Sequence, residues 1–385
     1  MFEITAQDRE ARTGLLHTAH GKLKTPFYMP VGTKASVKNI SPEELKSFNT
    51  ECIICNAFHL LLSPGSKVIQ EFGGLHRYMN WEKGIFTDSG GFQVLSEEFL
   101  LERNDKRILF QDTINNRKHE LTPEDSMQIQ LELGSDVAMA LDDVPHFGKD
   151  YDYIQDATRR THLWAERCLE EHNRLKEIGI AKINNKQLLF GITQGGTFPD
   201  LRKASAKKIN ELDFDGIAFG GLCIGEEMQK TFDMVRLQIP LLGKEKARYV
   251  MGMGTPEEIL ECISMGIDCF DSIFPTQNAR RGSLFTKKGI MHLNKGRFKY
   301  DFNAIDEDCE CYTCKNFSRS YVYHLLDTKE LFGLRLATIH NLHFIQKLVT
   351  DARTAIEENR FEKYKKEFLA EYKNQQSFSY SLGPL

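Results

Sequence analysis

The amino-acid sequence predicts an α/β fold, a (β/α)8 barrel of the TIM type with a cysteine-bearing helical subdomain at its C-terminal end. Three observations carry the prediction. Short apolar runs alternate with helical patterns along the chain, the signature of parallel strands joined by crossover helices. Eight such units fit within about 250 residues, the count of a closed barrel. Past Tyr300 the alternation stops, and three cysteines within six residues are followed only by helical patterns. A doubly wound sheet is the rival reading of the same alternation.

In chain order the runs are 26–31 (PFYMPV), 52–58 (CIICNAF), 85–90 (IFTDSG), 137–143 (VAMALDD), 188–195 (LLFGITQG), 216–221 (GIAFGG), 248–252 (RYVMG) and 268–274 (DCFDSIF). Helix starts are marked by a hydroxyl residue ahead of proline at Ser41-Pro42-Glu43-Glu44, Ser63-Pro64, Thr122-Pro123-Glu124-Asp125 and Thr255-Pro256-Glu257-Glu258. The hydroxyl accepts an orphan N–H, proline at the first helical position needs no partner, and acids complement the helix dipole. The third unit carries an insert after Gln93, in which 107–121 (RILFQDTINNRKHEL) predicts a hairpin turning at Ile-Asn-Asn. Such long loops at the top of a barrel shape sites. The segment 151–179 reads as a long amphipathic helix, with Trp164, Cys168 and Leu169 on its apolar side, and further helices are expected near 316–327, 333–358 and 360–373. The expected division is a barrel with catalytic site and basic segment over 1–300 and a zinc-binding helical subdomain over 301–385.

The chain has 385 residues and a formal net charge of −4, so any nucleic acid it binds must meet a local basic patch. There is no apolar run of about 18 residues, and the N-terminus MFEITAQDRE has acids where a signal peptide has a basic and then an apolar region. No membrane association and a cytoplasmic location are therefore expected. Of nine cysteines, Cys52, Cys55, Cys168, Cys223, Cys262 and Cys269 are scattered singly, as reduced buried thiols are.

Barrel enzymes place chemistry at the C-terminal ends of the strands. Here the third run delivers Asp88-Ser89-Gly90-Gly91, the fourth Asp142-Asp143, the fifth Gln194-Gly195-Gly196, the sixth Gly220-Gly221, the seventh Gly252-Met253-Gly254 and the eighth Asp271. Carboxylates accept from ring N–H groups and exocyclic amines, glutamine offers donor and acceptor, and the Gly221-Leu222 backbone supplies another donor. The set matches the edge of a planar heterocycle such as guanine. Tight turns explain glycine pairs and helix caps explain single acids, Asp200 among them, but neither explains carboxylates arriving from three strands. Glycine turns on adjacent late strands also fit a phosphate, the mark of an ordinary metabolic barrel enzyme. A catalytic metal is not expected, because the acids lack paired histidines.

The stretch 266–300 (GIDCFDSIFPTQNARRGSLFTKKGIMHLNKGRFKY) sets Asp268 and Asp271 in an apolar run. From Thr276 to Tyr300 it carries seven Lys or Arg and no acid. A carboxylate nucleophile at the edge of a surface that grips a polyanion would be built this way, as would a solvated basic hairpin. Cys309, Cys311 and Cys314 suit a tetrahedral Zn²⁺ with one further ligand. Of His324, His340 and His343 we favour His340, since His324 follows the cysteines too closely to return. Four ligands leave no open position, so the zinc, one per chain, would be structural.

Together these residues resemble the tRNA-guanine transglycosylases, the queuosine-forming family, and most closely the bacterial type. The resemblance spans essentially the whole chain through TPFYMPVGTKASVK, NAFHLLLSPG, TDSGGFQV, FGITQGG, FGGLCIGE, YVMGMGTPE, GIDCFDSIFPTQNARRG and CECYTC with His340. It implies a glycosyltransferase that works on tRNA as a homodimer. By motif Asp271 matches the nucleophile, and Asp88 the general acid/base that also contacts the base. Ser89, Gly90, Gly91, Asp142, Gln194, Gly221 and Leu222 match the base pocket, with Phe92 stacking on the heterocycle. Gly252, Met253, Gly254, Thr255, Pro256, Glu257 and Glu258 match one stretch that touches tRNA, and Thr276, Gln277, Asn278, Ala279 and Arg280 match another near the wobble nucleotide. Cys309, Cys311, Cys314 and His340 match the zinc ligands. The implied reaction exchanges guanine 34 of GUN-anticodon tRNAs, those for aspartate, asparagine, histidine and tyrosine, for the 7-deazaguanine preQ1. Queuine is the alternative incoming base, and a non-catalytic tRNA-binding partner subunit is the alternative of another class.

Departures from the family pattern bear on the incoming base. Gln277 stands where arginine is common, Asp143-Val144 is closer to the eukaryotic pattern than to Glu-Cys, and Ala57-Phe58 replaces Thr-Tyr.

Overall fold

The computed structural model describes residues 1–91, 99–112 and 116–372. Eight parallel strands form its centre: β1 (Phe27–Pro30), β2 (Cys52–Asn56), β3 (Gly84–Asp88), β4 (Val137–Met139), β5 (Leu188–Thr193), β6 (Gly216–Phe219), β7 (Ala247–Val250) and β8 (Cys269–Ser272). Each falls within, or within a residue of, one of the eight apolar runs. They pair in the order β1-β8-β7-β6-β5-β4-β3-β2, and a parallel bridge from Val31 to Ile54 closes the ring, with the Gly32 N–H donating to the Ile54 carbonyl at 2.7 Å. The doubly wound alternative is excluded.

Side chains alternate along these strands with a period of two. Phe27, Met29, Cys52, Ile54, Phe86, Val137, Met139, Phe190, Ile192, Ala218, Tyr249 and Cys269 fill the barrel interior. Their neighbours Tyr28, Ile53, Cys55, Ile85, Ala138, Leu189, Ile217, Val250 and Phe270 pack outward under the helices. Continued for one more step, the inner parity carries Asn56, Asp88, Gln194 and Asp271 to the mouth of the barrel.

Three of the four helix starts are built as expected, with capping boxes at Ser41, Thr122 and Thr255. Ser63 is instead the C-cap of Ala57–Leu62, because Asn56 already caps that helix directly after β2. Asp200 is not a cap either. It lies in the first turn of Pro199–Glu211, whose N-cap is Phe198, and accepts from the Tyr151 hydroxyl.

An antiparallel meander, Phe2–Asp8, Ala11–Thr18 and Gly21–Thr25, was not anticipated from the sequence. It plugs the N-terminal end of the barrel with Phe2, Leu16 and Leu23. Arg12 from the meander pairs with the fully buried Asp268 at 2.5 Å. Asp268 and Asp271 therefore serve opposite ends of the barrel.

The insert folds as three antiparallel strands, Leu100–Arg103, Ile108–Gln111 and Lys118–Leu121. Its last two strands pair as the expected hairpin, and 113–115, on which the expected Ile-Asn-Asn turn falls in part, lie outside the described residues. Arg103 anchors the insert to the buried Asp143 at 2.5 Å, and Arg160 of the long helix Tyr151–Glu177 clasps the other oxygen of that carboxylate.

The helix Leu331–Glu357 serves two layers. Ile345, Leu348, Val349, Ala352 and Ile356 join the barrel–helix core, and the Gln346 amide donates to the Tyr28 carbonyl of β1 at 3.0 Å. Leu336 and Ala337 instead join a separate cluster with Ala279, Leu284, Leu293, Phe298, Ile305, Val322 and Leu325. Among the described residues no helix is long and apolar enough to cross a membrane.

Candidate active site and metal centre

Asp88 and Asp271 meet at the barrel mouth from β3 and β8. Both are half-buried. Burial, and next the charge of Asp271, push the Asp88 carboxyl up to about 7, against hydrogen bonds from the Asn56 side chain and the Ala57 and Gly90 amides. The Asn56 Nδ2 donates at 2.9 Å and the Gly90 N–H at 3.2 Å. Burial also raises Asp271, but its Oδ1 accepts from the Tyr249 hydroxyl at 2.6 Å and the Gly252 N–H at 2.9 Å, which favours the ionised form. Both carboxyls are raised by burial, but only Asp88 is raised further by its neighbour's charge, and environments that differ in this way suit one proton carrier and one nucleophile.

Asp142 and Gln194 stand beside this pair. The Gln194 Nε2 donates to Asp142 Oδ2 at 2.7 Å, while Gln194 Oε1 is buried with no partner among the described residues. Burial pushes Asp142 up to about 7, the Gln194 bond opposing and the charge of Asp143 adding to the rise. Gly91 abuts this carboxylate so closely that a Cβ would lie 2.7 Å from the Asp142 carbonyl oxygen, tying the loop after Asp88 to the loop after β4. Gly221 has φ +62°, and a Cβ there would fall 2.1 Å from Gln194 Oε1. Glu226 takes the Cys223 N–H at 2.6 Å and the Ile224 N–H at 3.1 Å. The carbonyl of Leu222, antiparallel to the Cys223 N–H in one planar peptide, is thereby turned away from Glu226. Ser89 is buried and receives the Gly91 N–H at 3.3 Å. Phe92 lies outside the described residues.

Cys309, Cys311, Cys314 and His340 bring their donor atoms within 4.8 Å of one another. The thiol sulfurs lie 3.7, 3.6 and 3.3 Å from His340 Nδ1. The His340 Nε2 donates to the Phe285 carbonyl at 2.6 Å, so it holds the ring proton and leaves the Nδ1 lone pair facing the sulfurs. Three thiolates and one imidazole at this spacing fit a tetrahedral zinc. His343 Nδ1 approaches only Cys309, at 3.6 Å, and His324 is exposed on another helix. The neighbouring Asn341 binds the carbonyls of Pro275 and Ser283, each at 3.0 Å, tying the cysteine–histidine cluster to the segment that follows Asp271. A second cluster, His20, His76 and Asp136, is structural. Its carboxylate is filled by the His20 and Ile85 amides and both rings, and His76 Nε2, which also faces the Lys83 carbonyl, must carry a proton.

A family model described as queuine tRNA-ribosyltransferase matches residues 7–374. The chain belongs to this family. It is 45% identical over 368 residues to the queuine tRNA-ribosyltransferase of Staphylococcus haemolyticus (strain JCSC1435), covering 96% of this chain and 95% of that protein. Identity to the protein of the same name from Staphylococcus aureus (strain JH9) is 46%, over the same length and shares. Membership in the queuine tRNA-ribosyltransferase family makes the chain an enzyme of the glycosyltransferase class.

Within this family frame the two stretches expected to touch RNA divide by exposure. Thr255 and Glu258 form a capping box, Pro256 is buried behind them, and Met253 is buried against Cys262. Gly252 spends its N–H on Asp271. Thr276 and Ala279 are buried, and the Asn278 side chain returns to the Phe274 carbonyl. Gln277 and Arg280 remain partly exposed, and Arg280 Nη1 has no hydrogen-bond partner among the described residues. Sequence reasoning missed Asn56 and Tyr249, the residues that hold Asp88 and Asp271. Asn56 ends β2 at the inner parity, a usable signal. Tyr249 lies inside an apolar strand, where a tyrosine reads as core.

Proposed function

We propose that this enzyme exchanges guanine 34 of tRNAs with GUN anticodons for preQ1 through a covalent bond between Asp271 and the ribose. The observation that carries the reading is the pair of neighbouring carboxyls, one pushed up by burial to about 7 and the other given two hydrogen bonds that oppose its own rise, beside donors and acceptors shaped for a purine edge. One oxygen of Asp271 is occupied by Tyr249 and Gly252, so the other attacks the anomeric carbon. The bond from that carbon to the base nitrogen breaks, and Asp88 gives its proton to the departing guanine. The incoming base returns a proton to Asp88, and its ring nitrogen displaces Asp271. Neither redox chemistry nor ATP is needed.

Asp142, Gln194 and the Gly221-Leu222 backbone would read the base, Phe92 would stack on it, and the Leu222 carbonyl would accept from the exocyclic ammonium of preQ1. The base must leave the anticodon stack to reach them. Gln277 and Arg280 would touch the RNA through side chains, whereas Met253, Pro256, Glu258, Thr276 and Ala279 would act by shaping the backbone. Zinc at Cys309, Cys311, Cys314 and His340 would hold the barrel's C-terminal attachment together, with no open position for substrate. Homodimer formation is supported by an exposed aromatic patch around that centre, where Tyr312, Tyr321 and Phe332 all pack on Phe317 beside exposed Tyr300 and Phe302. The cytoplasm, where tRNA is matured in bacteria, is the corresponding location.

Incorporation of labelled guanine into unmodified tRNA with a GUN anticodon tests the reading. The wild type should exchange and trap tRNA covalently, and Asp271→Asn should do neither. Exchange by Asp271→Asn at the wild-type rate would refute the nucleophile. Competition of preQ1 against queuine for the same tRNA decides the incoming base.

A further inference from the structure

Arg202 is completely buried, yet no carboxylate among the described residues hydrogen-bonds it. Its guanidinium spends itself on backbone carbonyls: Gly196 at 2.7 Å, Thr193 at 3.3 Å, Gly220 at 2.8 Å and Gly221 at 3.0 Å. Burying a guanidinium for carbonyls alone is costly, and burial lowers its affinity for the proton to about 9. Nothing in the chemistry assigned above uses this residue.

The geometry of the two glycine peptides shows what the cost secures. In a planar trans peptide the carbonyl and the following N–H point in opposite directions. Consecutive carbonyls in extended chain alternate sides, so Gly220 and Gly221 can both reach one guanidinium only because Gly221 is left-handed, with φ +62°. The N–H groups of Gly221 and Leu222 then project together from the side opposite Arg202. Neither has an acceptor among the described residues. Gln194 packs against the same glycines, its Oε1 unpartnered among the described residues. Two convergent backbone donors form a concavity suited to one electron-rich oxygen.

We infer that Arg202 is a positioning residue for substrate recognition: it clamps the Gly220 and Gly221 carbonyls so that the Gly221 and Leu222 amides form a paired donor for the 6-oxo group of the base. The inference rests on the proposed base exchange and adds to it the element that sets 6-oxo specificity. The guanidinium also polarises both peptides, which strengthens the donors as negative charge develops on the departing base.

The test compares guanine with 2-aminopurine, which lacks the 6-oxo group, as competitors of labelled guanine for incorporation into tRNA. The wild type should favour guanine by on the order of a hundredfold or more, because a paired donor left empty rejects the analogue. Equal competition by the two bases in the wild type would overturn the inference without any variant. Arg202→Lys, which keeps the charge but loses the fork, should raise the KM for guanine about tenfold and shrink the preference for guanine by the same factor. A merely structural role would lower the active fraction while leaving KM and the guanine preference unchanged, and that result would also refute the inference. Failure of the wild type to exchange guanine at all would instead refute the proposed reaction.

Discussion

Replacing Asp142 by Asn isolates the cost of burying a carboxylate at the barrel mouth. Asp142 is only 4% exposed, and burial moves it from the ordinary 3.8 to about 7. Each unit is worth 1.36 kcal/mol, so the ionised form costs the fold about 4 kcal/mol. A carboxyl raised in the folded state withdraws stability as pH climbs from the unfolded value through the folded one, and the loss is complete above it. At pH 5, about one unit above the unfolded pKa, the unfolded carboxyl is already mostly ionised while the folded one keeps its proton, and the penalty is about 1.5 kcal/mol. At pH 8 it is about 4 kcal/mol. Asparagine is isosteric, carries no charge and can still pair with Gln194. The stability advantage of Asp142→Asn should therefore widen by about 2 to 3 kcal/mol between pH 5 and pH 8. Urea unfolding of both proteins, at matched zinc content, measures this. A constant offset at every pH, or a variant less stable than wild type at pH 8, would refute the argument.

Asp88, at about 7, should give the exchange rate an alkaline limb near neutrality, absent from the residual activity of Asp88→Asn. Tyr249→Phe removes a hydrogen bond that favours ionised Asp271, so the acid limb should move to higher pH and exchange should fall about tenfold. Elemental analysis should find one zinc per chain. His340→Ala should lose it, while His343→Ala should keep it, and retention of metal by His340→Ala would exclude the proposed ligand set. In a double variant lacking both Asp88 and Asp142 carboxyls, the loss of stability between pH 5 and pH 8 should shrink beyond that of Asp142→Asn alone, because both groups are raised to about 7.

The eight barrel strands were legible in the sequence because both faces of each strand are buried, which leaves an uninterrupted apolar run bounded by glycine or proline. The cysteine–histidine cluster was legible too, since Cys309, Cys311 and Cys314 are local and only His340 must come from afar. The N-terminal meander was not, because its strands alternate polar and apolar residues around charges such as Arg12, whose buried partner Asp268 lies 256 residues away. The acids themselves were visible at the ends of the strand runs, but Asp268 and Asp271, three residues apart, look alike until the barrel sets them at opposite ends. What holds each acid was decided only in three dimensions. Asn56 reaches Asp88 from the adjacent strand, Tyr249 reaches Asp271 from another, and Arg202 grips two loops at once. Periodicity records which face a residue occupies within its own strand. Contacts between strands depend on the ring closing, and only the closed ring makes neighbours of groups that the chain keeps far apart.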